Sequence, residues 1–354
     1  MNYLISLNIT NSINDLKPKV KEFIEETFFT HSYQIQDLNS FDLEKVKDSF
    51  LFVTDSYENF NLFFSSNTSC KNLCFINNNN LALPTKEGLN IYKVNMNEQE
   101  TITVFRMTIV NKFLRRIKKI TPKPFVSCIC PSYNRRKFLP YLIYIFNLQD
   151  YPKECRELII LDDSPESNED IIKEHDKDNN IRYYHYKNKL PIGKKRNIIN
   201  QITHGEYIVC FDDDDYYYPE RISHALERME QENTLISGCS KLHVFYTKLS
   251  EIYLFGPYGK NHATNGTFAY NVKLLYFRYY QDIATCAEEK YFLNDFNLKL
   301  AQLNPNKNML CISHNNNTFD KNKIIKSGRF CGSKLKHFIK DNKLLEFYKT
   351  LAKE

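Results

Sequence analysis

The stretch PIGKKRNIINQITHGEYIVCFDDDDYYYPERI, residues 191–222, decides the fold. GKKRNIINQI at 193–202 opens a helix, EYIVCF at 206–211 is an apolar run of strand length, and four aspartates follow it directly. A buried strand that ends in carboxylates places them where open α/β sheets bind ligands, beyond the strand's carboxyl end. Upstream the same alternation recurs: FVSCIC (125–130) and RELIIL (156–161) read as buried strands, KFLPYLIYIFNL (137–148) as an apolar helix between them, and IRYYHY (181–186) as a further strand. Strands alternating with helices predict βαβ units around a mostly parallel sheet. PSYNRR (131–136) and DDSPES (162–167) follow the first two strands, so three loops are expected at one edge.

Four adjacent aspartates repel one another, so an ordered turn needs positive charge among them. On an extended backbone Asp212 and Asp214 point to one side and offer a hard divalent ion two oxygen ligands, with positions left for phosphate oxygens. An acidic turn without a metal is the alternative on these residues alone. GKKRN lacks the full GxxxxGK[ST] pattern of a phosphate-binding loop, which sets the nucleotide-triphosphatase reading aside.

Taken together, FVSCICPSYNRRKFL, LIILDDSPES and the 191–222 stretch resemble the family 2 glycosyltransferases, nucleotide-sugar enzymes of the GT-A fold, over residues 125 to 235. The resemblance implies a Rossmann-like GT-A catalytic domain and a metal-dependent, inverting transfer of a sugar from a UDP-sugar, or a similar donor, to a hydroxyl acceptor. It implies Pro131, Ser132 and Tyr133 as the wall of the uracil pocket and Asp163, with Asp162 beside it, as acceptors for the base. Arg135, Arg196, Asn197, Asp212 and Asp213 would meet the nucleotide. Asp212 and Asp214 match the two acidic DXD positions and, with His314, would hold Mn²⁺ or Mg²⁺. In TCAEEKYFLNDF (285–296), Glu289 is the implied general base at the start of a helix, with Glu288 beside it. Gly266, Thr267 and Glu288 would lie near donor sugar and acceptor. Glutamates in a first helical turn are also favoured by the helix dipole alone, and a His beside an Asn-rich turn can be a surface residue. A weakened nucleotide-sugar or glycan-binding module is the alternative function.

Composition sets the outer limits. Hydrophobic residues at 42% and charged residues at 25% are ordinary globular values. Nine glycines in 354 residues and fifty aromatics predict stiff loops and aromatic cores. Trp is absent, so Tyr216, Tyr217 and Tyr218 are the expected sugar-stacking surface. The net charge of +6 is too small to demand nucleic acid or a membrane, and nucleic acid is the disfavoured partner. Ten scattered cysteines without a CxxC pair read as reduced thiols in a cytoplasmic protein. Neither a leader nor a stretch of about 18 apolar residues is visible.

Four segments are expected: a small α/β accessory domain at 1–110, a basic helix and linker at 111–124, the catalytic domain at 125–330, and a C-terminal amphipathic helix at 331–354. The first carries strand-like runs at 49–55, 72–77 and 89–94 and a helical pattern through Val20, Phe23, Ile24 and Phe28. The basic segment reads first as a solvated helix, with an anionic partner as the other reading. The acceptor, whether glycan, protein or lipid-linked, has no sequence signal, and peripheral membrane association stays open.

Overall fold

The structure is a computed structural model. It describes residues 98–351 apart from 316, 318 and 319, and within 1–97 the elements named below with their flanking residues. The chain divides into two compact units, Met1–Leu114 and Arg115–Glu354.

Unit 1 is a parallel five-stranded sheet. β1 (Tyr3–Asn8), β2 (Tyr33–Asp37), β3 (Leu51–Thr54), β4 (Asn72–Ile76) and β5 (Asn90–Val94) stand in the order β2-β1-β3-β4-β5. All four pairings are parallel. α1 (Leu16–Thr27) buries Val20, Phe23 and Ile24, and α2 (Gln99–Ile109) buries Phe105 and Ile109 in the same core as Ile5, Leu51 and Val53. Arg106 crosses to Glu26 at 2.8 Å, both fully buried. β1 and β2, with no long apolar run of their own, are the strands that sequence reading does not pick out.

In unit 2, β6 (Val126–Ser132), β7 (Arg156–Asp162), β8 (Ile181–His185) and β9 (Tyr207–Cys210) carry the expected strands. With β11 (Ile236–Gly238), β14 (Ala269–Asn271) and β15 (Ala301–Gln302) they form a seven-stranded sheet ordered β15-β11-β14-β9-β6-β7-β8. β6 pairs parallel with both β7 and β9, so the chain steps outward through β7 and β8 and then returns to the other side of β6. That reversal is a topological switch point, where the crevice for a ligand opens beyond the strand ends.

The core follows from the sequence. β6 and β7 are buried along their whole length, which is why they read as continuous apolar runs. α3 (Leu139–Asn147) packs Leu142, Ile143 and Phe146 on them; Pro140 lies in its first turn, where a missing N–H costs nothing. A second sheet, β10-β16-β12-β13-β17, is built from β10 (Tyr216–Tyr217), β12 (Leu242–Tyr246), β13 (Glu251–Phe255), β16 (Met309–Ser313) and β17 (Arg329–Phe330).

Three expectations are corrected. The 111–124 segment is not a solvated helix: a π-turn over Val110–Leu114 follows α2, and the chain then has no regular secondary structure up to 124, with Lys118 N–H donating to the His204 carbonyl at 2.9 Å. Tyr216, Tyr217 and Tyr218 are buried core residues and offer no stacking surface. The helix expected from 288 onward is a single turn, α4 (Glu289–Phe292). The tail does pack as an amphipathic helix over Asn342–Thr350, burying Leu344, Phe347 and Tyr348; residues 352–354 of that expected segment lie outside the described residues.

Candidate active site

Each loop beyond a strand end contributes one layer. After β6 the backbone turns through Asn134 in the left-handed region (φ 56°), whose N–H donates to Ser164 Oγ at 2.7 Å and ties the first loop to the second. Pro131 and Ser132 are buried and Tyr133 is half-buried, its ring facing the Lys189 ammonium 4.1 Å away. Arg135 reaches Asp213 at 3.3 Å and Asp214 at 3.4 Å.

The two aspartates after β7 divide their work. Asp162 accepts from Ser164 N–H (3.0 Å) and its hydroxyl on one oxygen, and from Asn168 Nδ2 (2.7 Å) and Tyr183 OH (2.8 Å) on the other. In this structure it holds its own turn, which leaves the expected contact with a base to Asp163. Asp163 accepts from Leu190 N–H at 2.7 Å and pairs with Lys195, whose ammonium also donates to the Ser132 carbonyl at 2.9 Å. This Asp163–Lys195 pair is buried on both sides. Removing one partner of a buried pair strands the other charge, so Asp163→Ala is expected to destabilise unit 2 by about 3–5 kcal/mol and to weaken uridine and UDP binding alike. Chemical denaturation with uridine and UDP titrations checks both; loss confined to UDP would misplace Asp163.

α4 (Glu289–Phe292) is a single turn in the site, and beside it the helix α5 (Ile192–Gln201) underlies the cleft. Its Arg196 spans two acidic groups, with Nε to Glu288 Oε1 at 2.8 Å and Nη2 to Asp212 Oδ1 at 3.3 Å. Asn197 is fully buried and clamps the segment before Glu288: it donates to the Tyr280 carbonyl (2.7 Å) and Asp282 (2.6 Å) and accepts from Tyr280 N–H (3.0 Å). It therefore positions a loop, with both amide hydrogens engaged inside the chain and no exposed atom to meet a nucleotide, a correction to the expected role. Ala287, in the left-handed region at φ 52°, and Asn294 to Phe296, at φ 52° to 60°, bracket α4 and stop it from extending either way.

The acidic turn after β9 is the electrostatic centre. Asp212 N–H donates to Tyr217 OH at 2.7 Å, and that hydroxyl lies 3.2 Å from the Gly266 carbonyl. A Cβ at Gly266 would come 2.5 Å from Asp212 Oδ2, so only glycine leaves that carboxylate in place. Thr267 is buried, donating to the Thr264 carbonyl and accepting from Cys239 N–H, and it shapes the turn. Asp214 meets His314 Nε2 at 3.0 Å and Asn317 Nδ2 at 3.2 Å. Asp215 accepts from Ile312 N–H at 2.7 Å, while Tyr348 OH of the tail helix donates to its carbonyl.

Four carboxyl groups so close do not ionise together. Burial, reinforced by Asp214, pushes Asp213 up to about 8 and Asp215 well above the carboxylate range. Burial also acts on Asp214, but the hydrogen bond from His314 and the charges of Lys321 and Arg135 outweigh it and hold this group below the usual range. The positive charge the sequence demanded comes, within the chain, from Arg135, Arg196 and Lys321. Lys195, Asn317 and Lys321 escaped the sequence reading. Lys195 stood beside the chosen Arg196 in GKKRN, and the other two lie within seven residues of His314, a proximity that carries no chemical signature.

The donor set suits a hard divalent ion. Asp212 keeps 29% of its side chain exposed, while Asp214 and His314 already converge. Among the described residues no three His, Cys, Asp or Glu side chains stand together as a group that could hold a metal ion.

Residues 127–274 match the family described as glycosyl transferase family 2. This match agrees with the resemblance read from the sequence and covers less than half of the chain, within a unit of α/β architecture whose seven-stranded sheet is mostly parallel. An uncharacterized glycosyltransferase of Rickettsia felis is 33% identical over 134 residues, 38% of this chain and 21% of that protein. The teichuronic acid biosynthesis glycosyltransferase TuaG of Bacillus subtilis, so named as putative, is 29% identical over 117 residues, 32% of this chain and 46% of its own. The crystal structure of Staphylococcus aureus TarS 1-349 in complex with UDP-GlcNAc superposes with a TM-score of 0.45 at 20% identity, covering 55% of this chain and 60% of that one. The match spans about a fifth of the Rickettsia protein. Among the described residues no helix is long and apolar enough to cross a membrane.

Proposed function

We propose that unit 2 moves a sugar from a UDP-sugar, or a similar nucleotide-sugar, to a hydroxyl acceptor in one in-line displacement that inverts the anomeric centre. The observation that carries this reading is the Arg196 bridge, 2.8 Å to Glu288 and 3.3 Å to Asp212, because it fixes the acidic pair beside the carboxylates that would face a diphosphate. Tyr133 and the Asp163–Lys195 pair flank the space proposed for the base. Arg196 would sit near the diphosphate, and Glu289 would take the acceptor's proton. Asp212, Asp214 and His314 would hold Mn²⁺ or Mg²⁺, which when bound neutralises charge developing on the leaving diphosphate. TarS of Staphylococcus aureus, named a poly(ribitol-phosphate) beta-N-acetylglucosaminyltransferase and 27% identical over 110 residues, supports sugar transfer as the reaction class. Ten free cysteines support a reducing, cytoplasmic setting, and unit 1 serves in this reading as an accessory domain.

Calorimetry of UDP binding tests the donor half. Affinity is expected to rise with Mn²⁺ and to fall when the ion is chelated, and Asp214→Asn should abolish that dependence, since a site with few anionic ligands cannot lose one. Unchanged UDP affinity in the presence of chelator would overturn the metal assignment.

A further inference from the structure

Away from the cleft, at the amino ends of the strands, the residues between the two units' boundary and β6 form an ordered basic ledge that the proposed reaction does not use. The ledge is pinned at three points: Arg115 Nη1 donates to Thr203 Oγ1 at 2.8 Å, Lys118 N–H to the His204 carbonyl at 2.9 Å, and Glu206 N–H to the Phe125 carbonyl at 2.8 Å. Between these anchors the chain bends at residues 121–123, with the Thr121 hydroxyl donating to the Lys123 carbonyl at 2.6 Å.

Two features of this ledge point to one kind of partner. Arg115, Lys118, Lys119, Lys123 and Lys273 line a groove of about 640 Å³ in which Glu206 is the single carboxylate among the described lining residues. Beside the cations Ile120 stands 96% exposed, and Tyr276, on the facing wall of the groove, is 60% exposed and followed by the exposed Phe277. What sets Ile120 apart from a lone surface apolar residue is its place among four lysines and an arginine on a pinned turn. Cations at headgroup level around an apolar tip, with a Tyr whose ring is apolar and whose hydroxyl is wet, match the layered chemistry of a bilayer surface. A nucleic acid would be held by bases stacked on aromatic faces, whereas the residue that projects furthest here, Ile120, is aliphatic.

We infer that the 115–123 ledge, with Lys273 and Tyr276, docks unit 2 on an anionic lipid surface, Ile120 entering the acyl boundary and the lysines meeting lipid phosphates. β6 runs seven residues from this ledge to Ser132, about 20 Å along a strand. Docking there leaves the carboxyl-end cleft facing away from the bilayer, open to donor and acceptor.

Sedimentation of the full chain with vesicles tests this. Binding is expected to vesicles of phosphatidylglycerol and phosphatidylcholine in equal parts, to be absent with phosphatidylcholine alone, and to be lost in half-molar salt. Lys119→Ser with Lys123→Ser should weaken partitioning about 25-fold, from about fivefold per cation near an anionic surface. Ile120→Ser should weaken it by about tenfold through lost apolar burial, without altering salt sensitivity. All three side chains are exposed and outside the core, so thermal unfolding should match the parent. Equal binding to neutral vesicles, unchanged partitioning of either variant, or binding to a polyuridine RNA with none to anionic vesicles would overturn the inference.

Discussion

Glu289→Gln is expected to lower kcat by about 10²–10⁴-fold, the usual contribution of a positioned general base, while leaving UDP affinity nearly intact. A sugar hydroxyl is a poor nucleophile at neutral pH, and Gln keeps the size of the side chain while removing its basicity. The structure adds a pH signature. Burial, and after it the neighbouring Glu288, raises the Glu289 carboxyl above the ordinary 4.5. A base with a raised pKa becomes protonated sooner as pH falls, so the acid limb of kcat should lie above 4.5 in the parent and vanish from the residual activity of Glu289→Gln. Glu288→Gln should behave differently. Its carboxylate is hydrogen-bonded to Arg196, so its loss should disturb donor affinity and kcat together. Should Glu289→Gln turn over normally while Glu288→Gln is dead, the base is the neighbour. Product NMR tests the stereochemistry: a retained anomeric configuration would exclude a single displacement whichever residue acts.

Much of this site was legible because its chemistry follows buried strands. β6, β7 and β9 appear as unbroken apolar runs, and the residues directly after them, Ser132, Asp163 and Asp212, are those the topology brings together. What was not legible depends on partners far apart in the chain. Asp162 and Asp163 are adjacent and chemically identical, and only the placement of Asn168 and Tyr183 against Lys195 tells a turn-holder from a cleft residue. The three tyrosines after the acidic turn looked available for a sugar because no local pattern announces that Tyr216 and Tyr217 pair with β16 almost a hundred residues on. Asn197 sat in the right motif, yet its amide is consumed by Tyr280 and Asp282, more than eighty residues away. The second sheet as a whole escaped for the same reason, because β10 and β12 both pair with β16 from far along the chain.

That long-range clamp leads to the second large effect, expected for Gly193→Ala. A Cβ built at Gly193 lies 1.9 Å from the Gln281 carbonyl oxygen and 3.0 Å from its carbon. Both are backbone atoms and cannot swing aside, so α5 and the 280–284 segment must separate by more than an ångström. The separation pulls on the Gly193 N–H bond to the Ala284 carbonyl and on the three Asn197 bonds. Each buried group left unpaired costs about 1–3 kcal/mol, so a destabilisation of at least that size is expected. The same segment leads into Glu288 and Glu289, and a misplacement of about 1 Å there can cost about 10²-fold in rate. Gly259→Ala is the matched control: its nearest neighbour, His262 Cβ, is 3.8 Å from the added carbon, an ordinary contact, so stability should stay within about 0.5 kcal/mol and turnover should be unchanged. Denaturant unfolding and kcat measured on both variants decide the matter. A Gly193→Ala protein with parental stability and turnover would show that the 280–284 segment does not lean on α5 and that the acidic pair is positioned by Arg196 alone.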